Sequence, residues 1–104
     1  MSEAQFNKAV KIVQSLPKDG PVKTSPDDQL LFYKYYKQVT IGNVNTPTPG
    51  IFDLMGKAKW NAWKSVEGKT TEECHKAYVD KLIELLKSAG DPDSLKQAEE
   101  IENA

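Results

Sequence analysis

The chain has 104 residues, 38% of them hydrophobic, which is typical of one soluble globular domain. Its fourteen cationic residues are all lysines and nearly balance fifteen acidic residues, and the absence of arginine disfavours sequence-specific nucleic-acid binding. A single cysteine excludes an internal disulfide and a cysteine-based zinc site, and no apolar run reaches the length of about 18 residues that a membrane span needs. The N-terminal residues carry no secretion signal, so we expect a reduced, cytoplasmic setting.

The first two helices are predicted from their capping residues and their apolar periodicity. Ser2 begins the first helix with a capping-box pattern, and the helix ends before Pro17. Ser25 begins the second helix, which we expect to end at Gly42. A loop of about a dozen residues follows, and loops of that length in a small domain are uncommon and often functional.

Two further helices are predicted after this loop. Asp53 caps the third helix, and Thr70 caps the fourth, which ends near Ser88. The remaining residues carry five acids against one lysine and include few apolar side chains, so we expect at most a short helix that is weakly anchored. No segment alternates as a strand would. The chain is therefore predicted to be all-α, with a four-helix domain over residues 2–88 and an acidic C-terminal extension over residues 89–104.

Cys74 and His75 are neighbours on the fourth helix and invite a nucleophile–base interpretation. Adjacent helical residues point about 100° apart, however, and the sequence indicates neither an orienting third group nor an oxyanion site. One histidine and one cysteine also give no support for a zinc site. We therefore expect both side chains in the core, and we predict no catalytic residue, no metal and no cofactor.

Tyrosines and lysines interrupt the simple core pattern of the second and third helices. Tyr33, Tyr36 and Lys37 share one face of the second helix, beside a second apolar face, and a bundle of this size cannot bury both. Lys59 falls inside the apolar arc of the third helix, where it either extends past the core edge or reaches an anion. Stacking rings with cations suit a nucleotide, although a core face with a polar rim is the alternative. No glycine-rich phosphate loop is present.

Four sequence blocks, in this order, resemble the acyl-CoA-binding protein family. The resemblance covers about residues 2–88. It implies an up-down-down-up four-helix bundle that binds long-chain acyl-CoA thioesters without catalysis and acts as a carrier and buffer in lipid metabolism. The blocks are YKYYKQVTIG from Tyr33, PGIFD from Pro49, GKAKWNAW from Gly56 and KAYVD from Lys76.

The resemblance also implies roles for residues that would hold the head group of coenzyme A. Tyr36 would pack on the adenine, and Tyr78 would close the site from the fourth helix. The ribose 3′-phosphate would meet a tyrosine and two lysines, at Tyr33, Lys37 and Lys59.

Other positions of the resemblance concern the acyl chain and departures from the family pattern. Leu30 and Ala58 would line the acyl-chain groove. Gln14 stands near a head-group contact but is uncharged, and Met55 stands where another lysine is frequent. Lys34 is a further head-group candidate that would compensate for these missing charges. The segment between the first two helices is longer than usual for the family.

Acyl-CoA esters are the expected ligands, and acyl-CoA-using enzymes and a transient membrane contact are the other expected partners. We expect a monomer that binds no nucleic acid. The residues leave one alternative open, a helical interaction module that docks an acidic partner on its face of tyrosines and lysines.

Overall fold

The computed structural model describes residues 2–104, and it confirms the all-α prediction, since those residues contain helices and no strand. None of the helices within this range combines the length and apolar character needed to cross a bilayer. The five helices are α1 (Glu3–Ser15), α2 (Pro26–Thr40), α3 (Leu54–Ser65), α4 (Thr71–Ala89) and α5 (Pro92–Glu102).

Side-chain caps set the starts of the four predicted helices. Reciprocal capping boxes form at Ser2, Ser25 and Thr70, and the Asp53 carboxylate accepts a hydrogen bond from the first turn of α3. Gly90 ends α4 with φ of 74°, a left-handed conformation that a side chain would strain. These local interactions explain why the predicted starts are confirmed.

Helix α4 forms the centre of the bundle and packs against α1, α2 and α5. Cys74 and His75 are buried in this helix, as predicted, and the His75 ring stacks on Phe6 with their centroids 4.6 Å apart. Burial raises the pKa of the Cys74 thiol and lowers the pKa of His75. Both residues therefore belong to the core.

Two contacts show that α2 and α4 run antiparallel. Asp28, in the first turn of α2, pairs with Lys81 of α4 at 3.2 Å. One turn further along α2, Phe32 packs on Tyr78, which lies one turn earlier in α4, with ring centroids 4.9 Å apart.

Helices α2 and α3, in contrast, run parallel. The Lys59 ammonium lies 5.5 Å from the centre of the Tyr33 ring, and the Lys37 ammonium lies 4.8 Å from the Trp63 ring. Both contacts follow the same order along α2 and α3, so the two helices point in the same direction. The chain must therefore travel back along the length of a helix before α3 begins. Residues 41–53 make that return, which gives the long loop a structural reason.

The C-terminal segment departs from the sequence prediction. Residues Pro92–Glu102 form a helix that packs against α1 and α4, with Ala98 and Ile101 1% and 0% exposed in the common core. The expectation of weak anchoring is therefore wrong. The segment has few apolar residues, but those at the helical spacing fall on one face, so the acidic residues point outward. The division at residue 88 into a binding domain and an extension stays a prediction.

Candidate functional site

A cleft of about 490 Å³ opens between α1, the loop over residues 16–25, α2 and α4. Four of the predicted site residues line it, namely Gln14, Tyr33, Tyr36 and Tyr78. Tyr33 and Tyr36 are three residues apart and therefore lie on one side of α2. The antiparallel packing of α4 brings Tyr78 beside them. The cleft is thus an aromatic site assembled from separate helices.

The tyrosines of the cleft differ in their surroundings. Tyr36 is 37% exposed, so part of its side chain is accessible to a ligand. Tyr78 is 2% exposed and packs on Phe6 and Phe32, with centroids 5.1 and 4.9 Å away. Burial, with a smaller contribution from Tyr36, raises the pKa of Tyr78 well above its ordinary value. The Tyr78 phenol therefore stays protonated and is a hydrogen-bond donor at neutral pH.

Lys59 and Lys37 lie beside this aromatic wall rather than inside the cleft. Their ammonium groups sit over the rings of Tyr33 and Trp63, respectively, in cation–π geometry. Within residues 2–104, neither lysine forms an ion pair with a carboxylate. Both cations are therefore held by aromatic rings and keep their charge available to an anion.

Three other predicted site residues lie outside the cleft lining. The Lys34 ammonium sits 5.3 Å from the centre of the Tyr35 ring. Leu30 is half-buried in α2, one turn before Tyr33, and Ala58 is half-buried in α3, one residue before Lys59. The contribution of Lys34 to a head-group site and the acyl-chain groove at Leu30 and Ala58 stay predictions.

Two cations of the cleft were missed by the sequence analysis. Lys18 and Lys23 line it from the loop between α1 and α2. Val22 holds that loop in place because its side chain is 7% exposed and belongs to the core cluster. A single valine among proline, glycine and charged residues is the signal that could have indicated a packed loop.

The site combines aromatic faces, phenol donors and ammonium groups. These groups suit an anionic ligand with a flat ring, because rings stack on the flat part and cations neutralise the charge. In the part of the chain that the structure describes, no cluster of three or more histidine, cysteine or acidic side chains is arranged to hold a metal ion.

Comparisons with known proteins point to one family. The profile of the family described as acyl CoA binding protein matches residues 3–82. Acyl-CoA-binding protein homolog 3 of Caenorhabditis elegans is 44% identical over 84 residues, which cover 81% of this chain and 72% of that protein. Acyl-CoA-binding domain-containing protein 5A of Danio rerio is 50% identical over 86 residues, 83% of this chain but only 17% of that protein. The crystal structure of ACBP from Moniliophthora perniciosa shares 59% identity with a TM-score of 0.97, over 100% of this chain and 98% of that one.

Proposed function

This chain belongs to the acyl-CoA-binding protein family, and we propose that it binds long-chain acyl-CoA thioesters and carries them without transforming them. The observation that supports this most directly is the meeting of three tyrosines in one cleft, with the Lys59 ammonium 5.5 Å from the Tyr33 ring. The site thus offers stacking surfaces and positive charge side by side, as a phosphorylated nucleotide requires.

The head group of coenzyme A would be held by residues from three helices. The half-exposed ring of Tyr36 stacks on the adenine, and the protonated Tyr78 phenol donates a hydrogen bond from the buried side of the cleft. Lys59 and Lys37 meet the ribose 3′-phosphate together with the Tyr33 hydroxyl. Charged contacts of this kind are worth most where water is partly excluded.

The acyl chain would lie along Leu30 and Ala58, between the parallel helices α2 and α3. Each buried methylene contributes about 0.8 kcal/mol, so a long chain binds more tightly than a short one. The head-group contacts, in turn, separate acyl-CoA from free fatty acid. Together the two parts of the site bind acyl-CoA more tightly than free CoA or free fatty acid.

The physiological role that follows is that of a cytoplasmic carrier and buffer. A monomer sequesters acyl-CoA esters and hands them to acyl-CoA-using enzymes, with residues 2–88 forming the binding unit and α5 stabilising it. Neither a cofactor nor a catalytic group takes part in this cycle.

Calorimetric titration of the full chain with palmitoyl-CoA tests the proposal, with free CoA and palmitate as control ligands. We expect one-to-one binding of palmitoyl-CoA that is tighter than that of either control. Lys59→Ala and Tyr36→Ala should each weaken it by about tenfold or more, since charged hydrogen bonds and base stacking are each worth roughly 1–3 kcal/mol. Tyr36→Phe keeps the stacking ring and should remain close to wild type.

Lys96→Ala, on the outer side of α5, is the matched control for Lys59→Ala and should bind like the wild type. Absence of heat with palmitoyl-CoA, in a protein shown to be helical by circular dichroism, would contradict the proposal. Equal losses in both lysine variants would show that only the overall charge matters.

A further inference from the structure

The two lysine–aromatic pairs between α2 and α3 lie in different surroundings. Tyr33, whose ring contacts Lys59, is half-buried and lines the cleft. Trp63, whose ring contacts Lys37, is 3% exposed and does not line the cleft. Tyr33 is therefore placed to contact a ligand directly, whereas an effect of Trp63 on binding has to act through its neighbours.

The indole of Trp63 is fixed by a hydrogen bond as well as by burial. Its Nε1–H donates to the Gly42 carbonyl at 2.8 Å, just after the end of α2. The Gly42 N–H in turn donates to the Lys37 carbonyl at 3.2 Å, with a φ of 100° that favours glycine. Trp63 therefore acts on Lys37 twice, through the backbone at the end of α2 and through the ring that faces its ammonium group.

The backbone that follows Lys37 is anchored from a second direction. Gln38 is 8% exposed, and its Nε2 donates to Asn43 Oδ1 at 2.9 Å. The same Asn43 oxygen accepts a hydrogen bond from the Gly68 N–H at 2.8 Å. These contacts join the end of α2 to the connection between α3 and α4. The Gly42 carbonyl, to which the indole is bound, thus keeps a fixed position relative to α3.

We propose that Trp63 is a positioning residue, which holds the Lys37 ammonium in place for the ribose 3′-phosphate of bound acyl-CoA. This inference rests on the proposed function, in which Lys37 meets that phosphate. A lysine is a long and flexible cation, so ordering its side chain on binding costs affinity. A ring face orders the ammonium beforehand and, unlike a carboxylate, leaves its charge unneutralised. Within residues 2–104, Lys37 has such a ring and no ion pair.

Calorimetry with palmitoyl-CoA and palmitoyl-3′-dephospho-CoA tests this role. The ratio of the two affinities measures recognition of the 3′-phosphate alone, because both ligands carry the same adenine and the same acyl chain. We expect Trp63→Leu to lower this ratio about three- to tenfold, as the loss of a cation–π contact implies, and to leave binding of the dephospho ligand close to wild type. Trp63→Phe keeps a ring face and should retain most of the ratio.

A double-mutant cycle shows whether Trp63 acts through Lys37. Lys37→Ala alone should lower the ratio at least as much as Trp63→Leu does. Adding Trp63→Leu to Lys37→Ala should then change the ratio less than about twofold, because the side chain that the indole holds is already gone. Val66→Ala is the matched control, since Val66 is 1% exposed at the same end of α3. It should lower stability in urea unfolding and leave the ratio unchanged.

The wild-type protein offers a second measurement, which does not depend on the folding of any variant. A lysine that stays over an indole has its ε-methylene protons in the ring current of that indole. In the NMR spectrum of the ligand-free protein, we expect these protons of Lys37 to lie upfield of those of Lys96, an exposed lysine of α5.

Three results would overturn the inference. The first is an equal loss of affinity for both ligands in Trp63→Leu, which would make the tryptophan a structural residue only. The second is a loss of the ratio that is as large in the Lys37→Ala background as in the wild type. The third is coincidence of the Lys37 and Lys96 ε-methylene resonances. A wild type that binds neither ligand would contradict the proposed function, whereas an unchanged ratio in Trp63→Leu would contradict this inference alone.

Discussion

Asp28 of α2 and Lys81 of α4 link the two antiparallel helices through an ion pair, with Oδ1 and Nζ 3.2 Å apart. The same carboxylate has a second task, because its other oxygen accepts a hydrogen bond from the Ser25 backbone at the start of α2. That backbone hydrogen bond, followed by Lys81, holds the pKa of Asp28 below its ordinary value. One side chain thus closes a helix cap and a helix-to-helix contact.

Replacing Asp28 by asparagine should make stability less dependent on pH. At pH 7 we expect Asp28→Asn to lower the free energy of unfolding by about 1 kcal/mol, because asparagine keeps an acceptor for the cap but loses the charge that faces Lys81 and the positive end of α2. The folded-state pKa of Asp28 is lowered, so its contribution is present above the unfolded value near 4 and is lost as the pH falls through the folded-state pKa. Urea unfolding at pH 7 and at about pH 3 measures this. A difference between wild type and variant that is as large in acid as at pH 7 would contradict it.

Truncating a buried side chain of α5 should destabilise the whole bundle. Ile101 is fully buried in the core shared with α1 and α4, so Ile101→Ala should cost about 2–4 kcal/mol in urea unfolding. Leu95→Ala, on the same helix but 46% exposed, should cost less than about 0.5 kcal/mol. Similar small losses in both variants would mean that α5 is not part of the cooperative unit.

The lysines of the loop between α1 and α2 should contribute to head-group affinity. Lys18 and Lys23 line the same cleft as Gln14, whose side chain is uncharged. We expect Lys18→Ala and Lys23→Ala each to weaken palmitoyl-CoA binding about three- to tenfold at low salt, and less at high salt. Calorimetry measures both, with Lys11→Ala, exposed on α1 outside the cleft, as the control. Equal affinities in all three variants would show that the lysines of the loop do not contribute to the site.

The Cys74 thiol should be unreactive in the folded protein. Its side chain is fully buried and burial raises its pKa, so little thiolate forms and reagents cannot reach it. We expect its reaction with a disulfide reagent at pH 8 to be at least about a hundredfold slower in buffer than in concentrated urea. A fast reaction in buffer, at a rate like that of the unfolded chain, would show that α4 opens readily or that the thiol is accessible.

The bundle was largely predictable because its helices carry their own boundary signals. Capping residues at Ser2, Ser25, Asp53 and Thr70 act within a few residues, so sequence spacing is enough to read them. The anchoring of α5 was missed because it depends on what Ala98 and Ile101 pack against, and those partners lie on α1 and α4. Burial at so few positions is set by tertiary neighbours and not by composition.

The same distinction applies to the candidate site, where helical positions were predicted and the residues of an irregular loop were not. Tyr33 and Tyr36 were predicted from the helical face that they share and Tyr78 from the family resemblance, and the structure brings all three into one cleft. Lys18 and Lys23 were not predicted, since the path of an irregular loop depends on where Val22 is buried.

The central position of α4 also determines when this chain can fold during synthesis. Among the described residues, α1 packs against α4 and α5, which are made after α2 and α3. The apolar face of α1 (Phe6, Ala9 and Ile12) therefore waits for partners more than 60 residues away in sequence. Contacts at such separations slow folding relative to bundles whose neighbours in sequence pair first. The nascent chain thus exposes the apolar face of its first helix until α4 has left the ribosome.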